Sequence, residues 1–167
     1  SGSIAINIAL NLAGAQVLAT DCSLDALEIA RKNIQKYGLQ ERIVLGVGDL
    51  LLPVDGPIDI IISNLPYIPS KRLDLLQEEI RWEPTIALDG GYDGLVLIRR
   101  LLSQAVTKLA RDGSIVLEID CFQGQEVKNL SKNLFPGATV SITQDLAGLD
   151  RVLTVVMTSD TVDQSVV

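Results

Sequence analysis

The apolar positions of this chain switch between short continuous runs and stripes spaced by three and four residues. A run bounded by turn residues reads as a strand buried on both faces, and a spaced stripe reads as one face of a helix. Ile4 to Leu12 is mostly apolar after the small residues Ser1-Gly2-Ser3, which predicts a short buried helix closed by Gly14. Gln16 to Thr20 predicts a buried strand ending at Asp21, and Ser23 is placed to cap a helix over Leu24 to Tyr37. Leu24, Leu27, Ala30, Ile34 and Tyr37 form the inward stripe of that helix, and Gly38 supplies its stop. A second strand, Arg42 to Val47, ends at Gly48-Asp49 and completes a strand-helix-strand unit.

After a loop holding Pro53, Gly56 and Pro57, the run Ile58 to Ser63 predicts a central strand. Residues 68 to 94 are broken up by Pro69, Pro84, Gly90, Gly91 and Gly94, leaving room for one short helix over Leu73 to Ile80. An irregular stretch of that length is more often a substrate-binding flap than a spacer. Leu95 to Leu109 reads as an amphipathic helix, and Asp112-Gly113 turns the chain into a strand over Ser114 to Ile119. A helix over Gly124 to Leu134, a turn at Phe135-Pro136-Gly137, and strands Ala138 to Thr143 and Val152 to Met157 follow. The last two strands are joined by a loop alone, so the expected α/β sheet is mostly parallel with one antiparallel strand at its edge. One domain is expected over 1–158, with a polar, frayed tail over 159–167.

Charge narrows the partners. The chain of 167 residues carries a formal net charge of −7, and its Lys and Arg are scattered. A protein gripping a nucleic-acid backbone shows the opposite balance, so a protein or small-molecule substrate is favoured over nucleic acid. No apolar run is long enough to span a membrane, and no signal peptide precedes Ile4, so a cytoplasmic location is expected. The two cysteines, Cys22 and Cys121, lie far apart in a chain without histidine, which predicts reduced thiols, with a disulfide between them as the alternative, and no metal site.

Candidate chemistry gathers at Asn64-Leu65-Pro66-Tyr67, where the central strand stops on an amide, a proline and an aromatic ring. Ligands of open α/β sheets bind at such strand ends. Pro66 lacks a backbone donor and biases Leu65 toward extended backbone, leaving stiff carbonyls beside the Asn64 amide oxygen. Two acceptors with a flat ring alongside suit a planar NH2 group, either an amide or the exocyclic amine of a base. The same residues also suit an ordinary strand-to-turn exit.

This order of elements resembles the Rossmann-like class I methyltransferases that use S-adenosylmethionine, and within them the HemK-type release factor glutamine methyltransferases. The resemblance rests on Asn64-Leu65-Pro66-Tyr67-Ile68, Trp82-Glu83-Pro84, Ala87-Leu88, Leu117-Glu118, Gln123-Gly124, and Asp145, Gly148 and Asp150-Arg151-Val152. Leu65 stands where the family usually has its first proline. Only Ser1-Gly2-Ser3 matches the glycine-rich cofactor loop, so the resemblance implies a cut within a longer chain. The family's first strand and its helical amino-terminal domain would then precede Ser1, with the absent strand lying between those that end at Asp21 and Asn64.

The resemblance implies S-adenosylmethionine as cofactor, held by Ser1, Gly2, Asp21, Asp49, Leu50 and Asn64. Asp21 would take the ribose hydroxyls, while Asp49 and Leu50 would take the adenine amine and ring. It implies Asn64, Leu65, Pro66 and Tyr67 as the catalytic group, and a glutamine in the Gly-Gly-Gln loop of a peptide chain release factor as substrate. Trp82 and Glu83 would belong to a flap over that glutamine. An amide nitrogen is a poor nucleophile, so its hydrogens must be held by acceptors that tolerate growing positive charge, without a titrating base. Three other readings stand beside this one: a ribosomal-protein glutamine as substrate, N6-adenine or N2-guanine methylation of nucleic acid, and a non-catalytic Rossmann-like binding domain.

Overall fold

The computed structural model describes residues 1–78 and 80–158, so the tail expected over 159–167 lies outside the described residues. The chain divides into two compact units, Ser1–Gly56 and Pro57–Val167.

The first unit is a strand-helix-strand unit with a preceding helix. Helix α1 (Ser3–Asn11) leads to strand β1 (Val17–Asp21), then helix α2 (Leu24–Lys36) and strand β2 (Ile43–Val47). β1 and β2 pair in parallel from Val17 opposite Ile43 to Asp21 opposite Val47. Ala5, Ile6 and Ala9 of α1 pack with Ile34, Leu39 and Ile43, and with the half-buried Val17, Ala19 and Leu45. Burial of an aliphatic side chain of this size contributes ~1.5–3 kcal/mol over leaving it exposed. The expected burial of α1 holds for this face only, since Ile4 and Leu10 remain exposed.

Local signals set the ends of α2. Ser23 has extended backbone and its Oγ accepts from the Ala26 amide at 3.2 Å, while Asp25 and Lys36 complement the helix dipole at the two ends. At the other end Gly38 takes a left-handed φ of 67°, which lets its own amide reach the Gln35 carbonyl and the Leu39 amide reach the Ile34 carbonyl, both at 3.1 Å. That bond pair is a Schellman motif, and glycine adopts its backbone without a Cβ penalty. The inward stripe holds at Leu27, Ala30 and Ile34 and fails at its ends, where Leu24 and Tyr37 are exposed. Arg42 stitches the loop before β1 to β2, donating to the Leu12 carbonyl at 2.6 Å and to the Ala15 carbonyl at 2.7 Å.

The second unit holds strand β3 (Ile58–Ser63), helix α3 (Val96–Ala105), strand β4 (Leu109–Glu118), helix α4 (Gly124–Leu134), and strands β5 (Thr139–Gln144) and β6 (Asp150–Val156). Its sheet runs in the order β3-β4-β6-β5, with β3 and β4 parallel and β6 antiparallel to both β4 and β5. The expected α/β class with one antiparallel strand is therefore present. That strand, however, is β6, and it lies between β4 and β5 rather than at the edge. The reason is burial: Leu153 and Val155 of β6 are fully buried, whereas β5 carries Thr139, Ser141, Thr143 and Gln144 on an exposed side. A polar strand makes the safer edge.

Two other expectations are corrected. The helix predicted to reach Leu109 ends at Ala105, and β4 begins at Leu109. Pairing across the sheet decides this, because Leu109 stands opposite Ile58 and the Ile58 amide donates to the Lys108 carbonyl at 2.8 Å. The next partner of β3 is Ser114 opposite Ile60, so residues 110–113 bulge out of the ladder where the turn at Asp112-Gly113 was expected. The helix predicted over Leu73 to Ile80 is replaced by three short 3-10 segments, Ser70–Leu75, Ile80–Trp82 and Thr85–Ala87, with prolines flanking the first and third. Cys22 and Cys121 are both free cysteines. No helix among the described residues is long and apolar enough to cross a membrane.

Candidate functional site

In the first unit the candidate residues gather at the carboxyl ends of two paired strands. Asp21 is the last residue of β1, and its Oδ1 accepts from the Ser23 amide at 2.9 Å, leaving Oδ2 free to receive hydroxyl hydrogens. Asp49 lies two residues past the end of the neighbouring β2. Leu50, which follows it, is the only non-glycine residue at positive φ among the described residues, at 55°. That backbone costs on the order of 1 kcal/mol and persists where the surroundings impose it. The Thr20 hydroxyl holds this loop, donating to the Leu50 carbonyl at 2.8 Å and tying the loop after β2 to the end of β1.

Ser1 and Gly2 are held elsewhere in the same unit. Asn33 of α2 donates to the Ser1 carbonyl at 2.9 Å, and a Cβ on Gly2 would stand 3.1 Å from the Ala30 Cβ, with φ at 74°. The close approach that requires glycine at position 2 is therefore that of α2. An acceptor set of two carboxylates beside a fixed backbone carbonyl suits ribose hydroxyls and an exocyclic amine, so the strand-end residues fit a nucleoside cofactor.

In the second unit β3 ends at Ser63, and the next four residues follow without a helix. Asn64 is exposed, and no group among the described residues bonds its side-chain amide. Leu65 and Pro66 are half-buried. Tyr67, by contrast, is held at both ends. Its hydroxyl donates to Glu118 Oε1 at 3.2 Å, and its carbonyl accepts from Gln123 Nε2 at 3.1 Å. Burial first, then the Glu118 carboxylate, push the Tyr67 hydroxyl above its ordinary value, so it stays a neutral donor.

The chain then runs beside residues 88–91. Ile68 bridges Asp89 in parallel, the Gly90 amide donates to the Ile68 carbonyl at 2.8 Å, and the Ser70 amide donates to the Gly91 carbonyl at 2.9 Å. Asp89 closes this corner, accepting from the Ser70 hydroxyl at 2.7 Å and from the Gly91 amide at 2.8 Å. Those bonds hold its carboxyl below the ordinary carboxylate value. A further anchor lies at Arg99 of α3, which bonds Asp93 and Glu126, each at 2.6 Å, and stacks over the Tyr92 ring. Trp82 is 84% exposed and Glu83 is solvated, so the ring does not anchor a core.

Known proteins similar to this chain are methyltransferases. A family model described as "RMKL-like, methyltransferase domain" matches residues 4–75. The release factor glutamine methyltransferase of Thermosynechococcus vestitus is 42% identical over 157 residues, covering 92% of this chain and 54% of that protein. The ribosomal protein uL3 glutamine methyltransferase of Bordetella pertussis is 46% identical over 121 residues, covering 71% of this chain and 40% of that protein. The chain is a homologue of the glutamine methyltransferases. It spans about half the length of the curated relatives it matches.

The fold of this chain has solved neighbours. A ribosomal protein L11 methylase from Lactobacillus delbrueckii subsp. bulgaricus has a TM-score of 0.65 at 21% identity, covering 95% of this chain and 66% of that one. A methyltransferase from Pyrococcus furiosus has a TM-score of 0.69 at 20% identity, covering 94% and 70%. The class I methyltransferase fold expected from the element order is the one observed.

Sequence reasoning placed Asn64 and Tyr67 at a strand end but assigned no role to Glu118 or Gln123, the residues that hold Tyr67. Both stood in the segments that carried the resemblance, Leu117-Glu118 and Gln123-Gly124. Their bonds cross 51 and 56 residues of chain, a separation that local pattern does not report.

Proposed function

We propose that the protein to which this chain belongs transfers a methyl group from S-adenosylmethionine to the side-chain amide nitrogen of a glutamine in another protein. One observation carries the reading: Asn64 directly follows β3 with its amide exposed and unbonded, on a turn whose far end, Tyr67, is held by two bonds. An unspent acceptor on a fixed turn is what orienting a planar amide requires. The homologues at about 40% identity, named for glutamine methylation, support the same reading.

In this reading residues 1–158 form one catalytic domain, with 159–167 as its tail. The cofactor belongs to the strand ends of the first unit. Asp21 Oδ2 accepts from the ribose, Asp49 accepts from the adenine amine, and Leu50 packs on the ring, with Ser1 and Gly2 beginning the loop that approaches the cofactor. When bound, S-adenosylmethionine supplies an electrophilic methyl group on a sulfonium. Asn64 Oδ1 and the Leu65 carbonyl take the two hydrogens of the glutamine amide, which turns the nitrogen lone pair toward the methyl. Both acceptors become more favourable as positive charge grows on nitrogen, and one proton then leaves to water. Tyr67 packs on the amide face, Pro66 stiffens the turn, and no residue of shifted pKa is needed as a base.

A release factor glutamine in a Gly-Gly-Gln loop is the leading substrate, in the cytoplasm. The net charge of −7 opposes nucleic acid as substrate. A ribosomal-protein glutamine is the second reading, favoured by the 46% identity to the uL3-directed relative. The test is transfer of radiolabelled methyl by the full-length protein to purified release factor, to its Gln-to-Ala variant in the Gly-Gly-Gln loop, to ribosomal protein, and to RNA and DNA. Label in the release factor that is lost in the Gln-to-Ala variant is expected, and label confined to nucleic acid would overturn the assignment.

A further inference from the structure

Gln123 occupies the cap position before α4, yet its side chain does not cap that helix. It is 6% exposed, among few polar residues so buried, and every bond its amide makes is tertiary or local to the loop before it. Nε2 donates to the Tyr67 carbonyl and to the Gly94 carbonyl, both at 3.1 Å, and Oε1 accepts from the Asp120 amide at 3.0 Å. Two donors from one nitrogen and an acceptor beside it are available only from a carboxamide. A glutamate would set a charge against two carbonyl oxygens, and an apolar residue would leave both without this partner.

The two carbonyls come together because residue 94 is glycine. Its φ is 80°, and a Cβ there would collide with the Tyr67 carbonyl oxygen and stand 2.8 Å from Gln123 Nε2. The stretch that ends at Gly94 is itself fixed by Asp89 and by the Asp93–Arg99 pair. The reach from the start of α4 to the end of the Asn64–Tyr67 turn is thus made by one amide group.

We propose that Gln123 is a positioning residue: its amide clamps the Tyr67 carbonyl to the Gly94 carbonyl and so sets where the Asn64–Tyr67 turn stands. Gln123 touches neither substrate nor cofactor. Its part in the reaction rests on the proposed glutamine methylation, but the clamp can be tested apart from it.

The experiment uses the full-length protein and two variants. Gln123→Met keeps the volume and removes every donor. Gln123→Glu keeps the shape and the Asp120 bond, and regains one donor when its carboxyl is protonated. Amide hydrogen exchange is followed by mass spectrometry alongside kcat and KM. Gln123→Met is expected to raise exchange several-fold in segments 67–70 and 90–95 while α2 stays at the parent rate. It is expected to lower kcat at least tenfold with little change in the KM for cofactor. Gln123→Glu should match it at neutral pH and recover part of the rate as pH falls, a return that a filled space alone would not give.

Unchanged exchange in both segments of folded Gln123→Met protein overturns the clamp whatever the activity. Raised exchange with parent kcat overturns its role in positioning. If Gln123→Met does not fold, Gln123→Glu carries the same two readings. A parent protein that leaves glutamine unmethylated sinks the functional assignment instead, and exchange then decides the clamp alone.

Discussion

Two turns leave parallel strands in this chain, and they are built on different principles. After β1, Asp21 takes the Ser23 amide two residues on, and Ser23 Oγ takes the Ala26 amide three residues on, so α2 starts at once. After β3 no α-helix starts for more than thirty residues, and the turn is tied by Glu118 and Gln123 from distant parts of the chain. The side-chain bonds that shape the first turn come from its own residues. The second is held at Tyr67 by Glu118 of β4 and by Gln123 before α4, neither of which bonds its leading residue, so Asn64 is left unspent. A turn assembled from outside can present a side chain that has no structural duty, and that is the property a reactive position needs.

The sharpest way to test that difference is Asn64→Ala in the full-length protein. The side chain is exposed and unbonded, so melting temperature is expected to change little. The rate of methyl transfer should fall by roughly a hundredfold or more, the scale seen when one preorganised polar group at a transition state is deleted. In the proposed reading cofactor affinity should change much less, because most of it is assigned to Asp21 and the glycine loop. Melting temperature, cofactor affinity and single-turnover rate measured on one preparation separate the outcomes. A folded, cofactor-binding variant that turns over near the parent rate places the chemistry elsewhere.

The same contrast explains which features are legible in the amino-acid sequence. The cap at Ser23, the stop at Gly38 and the strands ending at Asp21, Val47 and Ser63 are set by residues within a few positions, and each can be read locally. The start of β4 cannot, because Leu109 joins the sheet through Ile58, some fifty residues earlier, against a local pattern that continues the helix. Nor can the place of β6, which is chosen by the burial of Leu153 and Val155 against a polar β5. In the candidate site, Asn64-Leu65-Pro66-Tyr67 announces itself by composition, whereas the left-handed Leu50 and its Thr20 bond carry no sequence signal, since leucine is not a turn residue.

Ser23→Ala probes the locally built turn and should act on stability alone. Losing the Ala26 bond removes the only side-chain cap of α2, a loss of about 1 kcal/mol. The Ser23 amide still holds Asp21, so the rate per folded molecule should stay at the parent value. Thermal melts paired with active-site titration give both quantities. A Ser23→Ala protein of parent stability whose rate drops as far as that of Asn64→Ala would erase the distinction between the two turns.

Tyr67→Phe makes the smallest change, at the far end of the turn assembled from outside. The variant keeps the ring and the carbonyl held by Gln123 and loses only the hydroxyl bond to Glu118, about 0.5–1 kcal/mol at a half-exposed position. Its diagnostic is the pH dependence. Burial and the Glu118 carboxylate raise the Tyr67 hydroxyl above its ordinary 10.0 in the folded protein. The unfolded chain therefore loses this proton first as pH rises, and the folded state binds more protons than the unfolded one in that window. Stability from this group is fully present below pH 10 and is lost as pH climbs through the raised folded value. Urea melts from about pH 8 to 11 should show a decline for the parent that is shallower in Tyr67→Phe by one titrating group. Equal slopes would mean that the Tyr67 hydroxyl faces water and that Gln123 alone fixes the end of the turn.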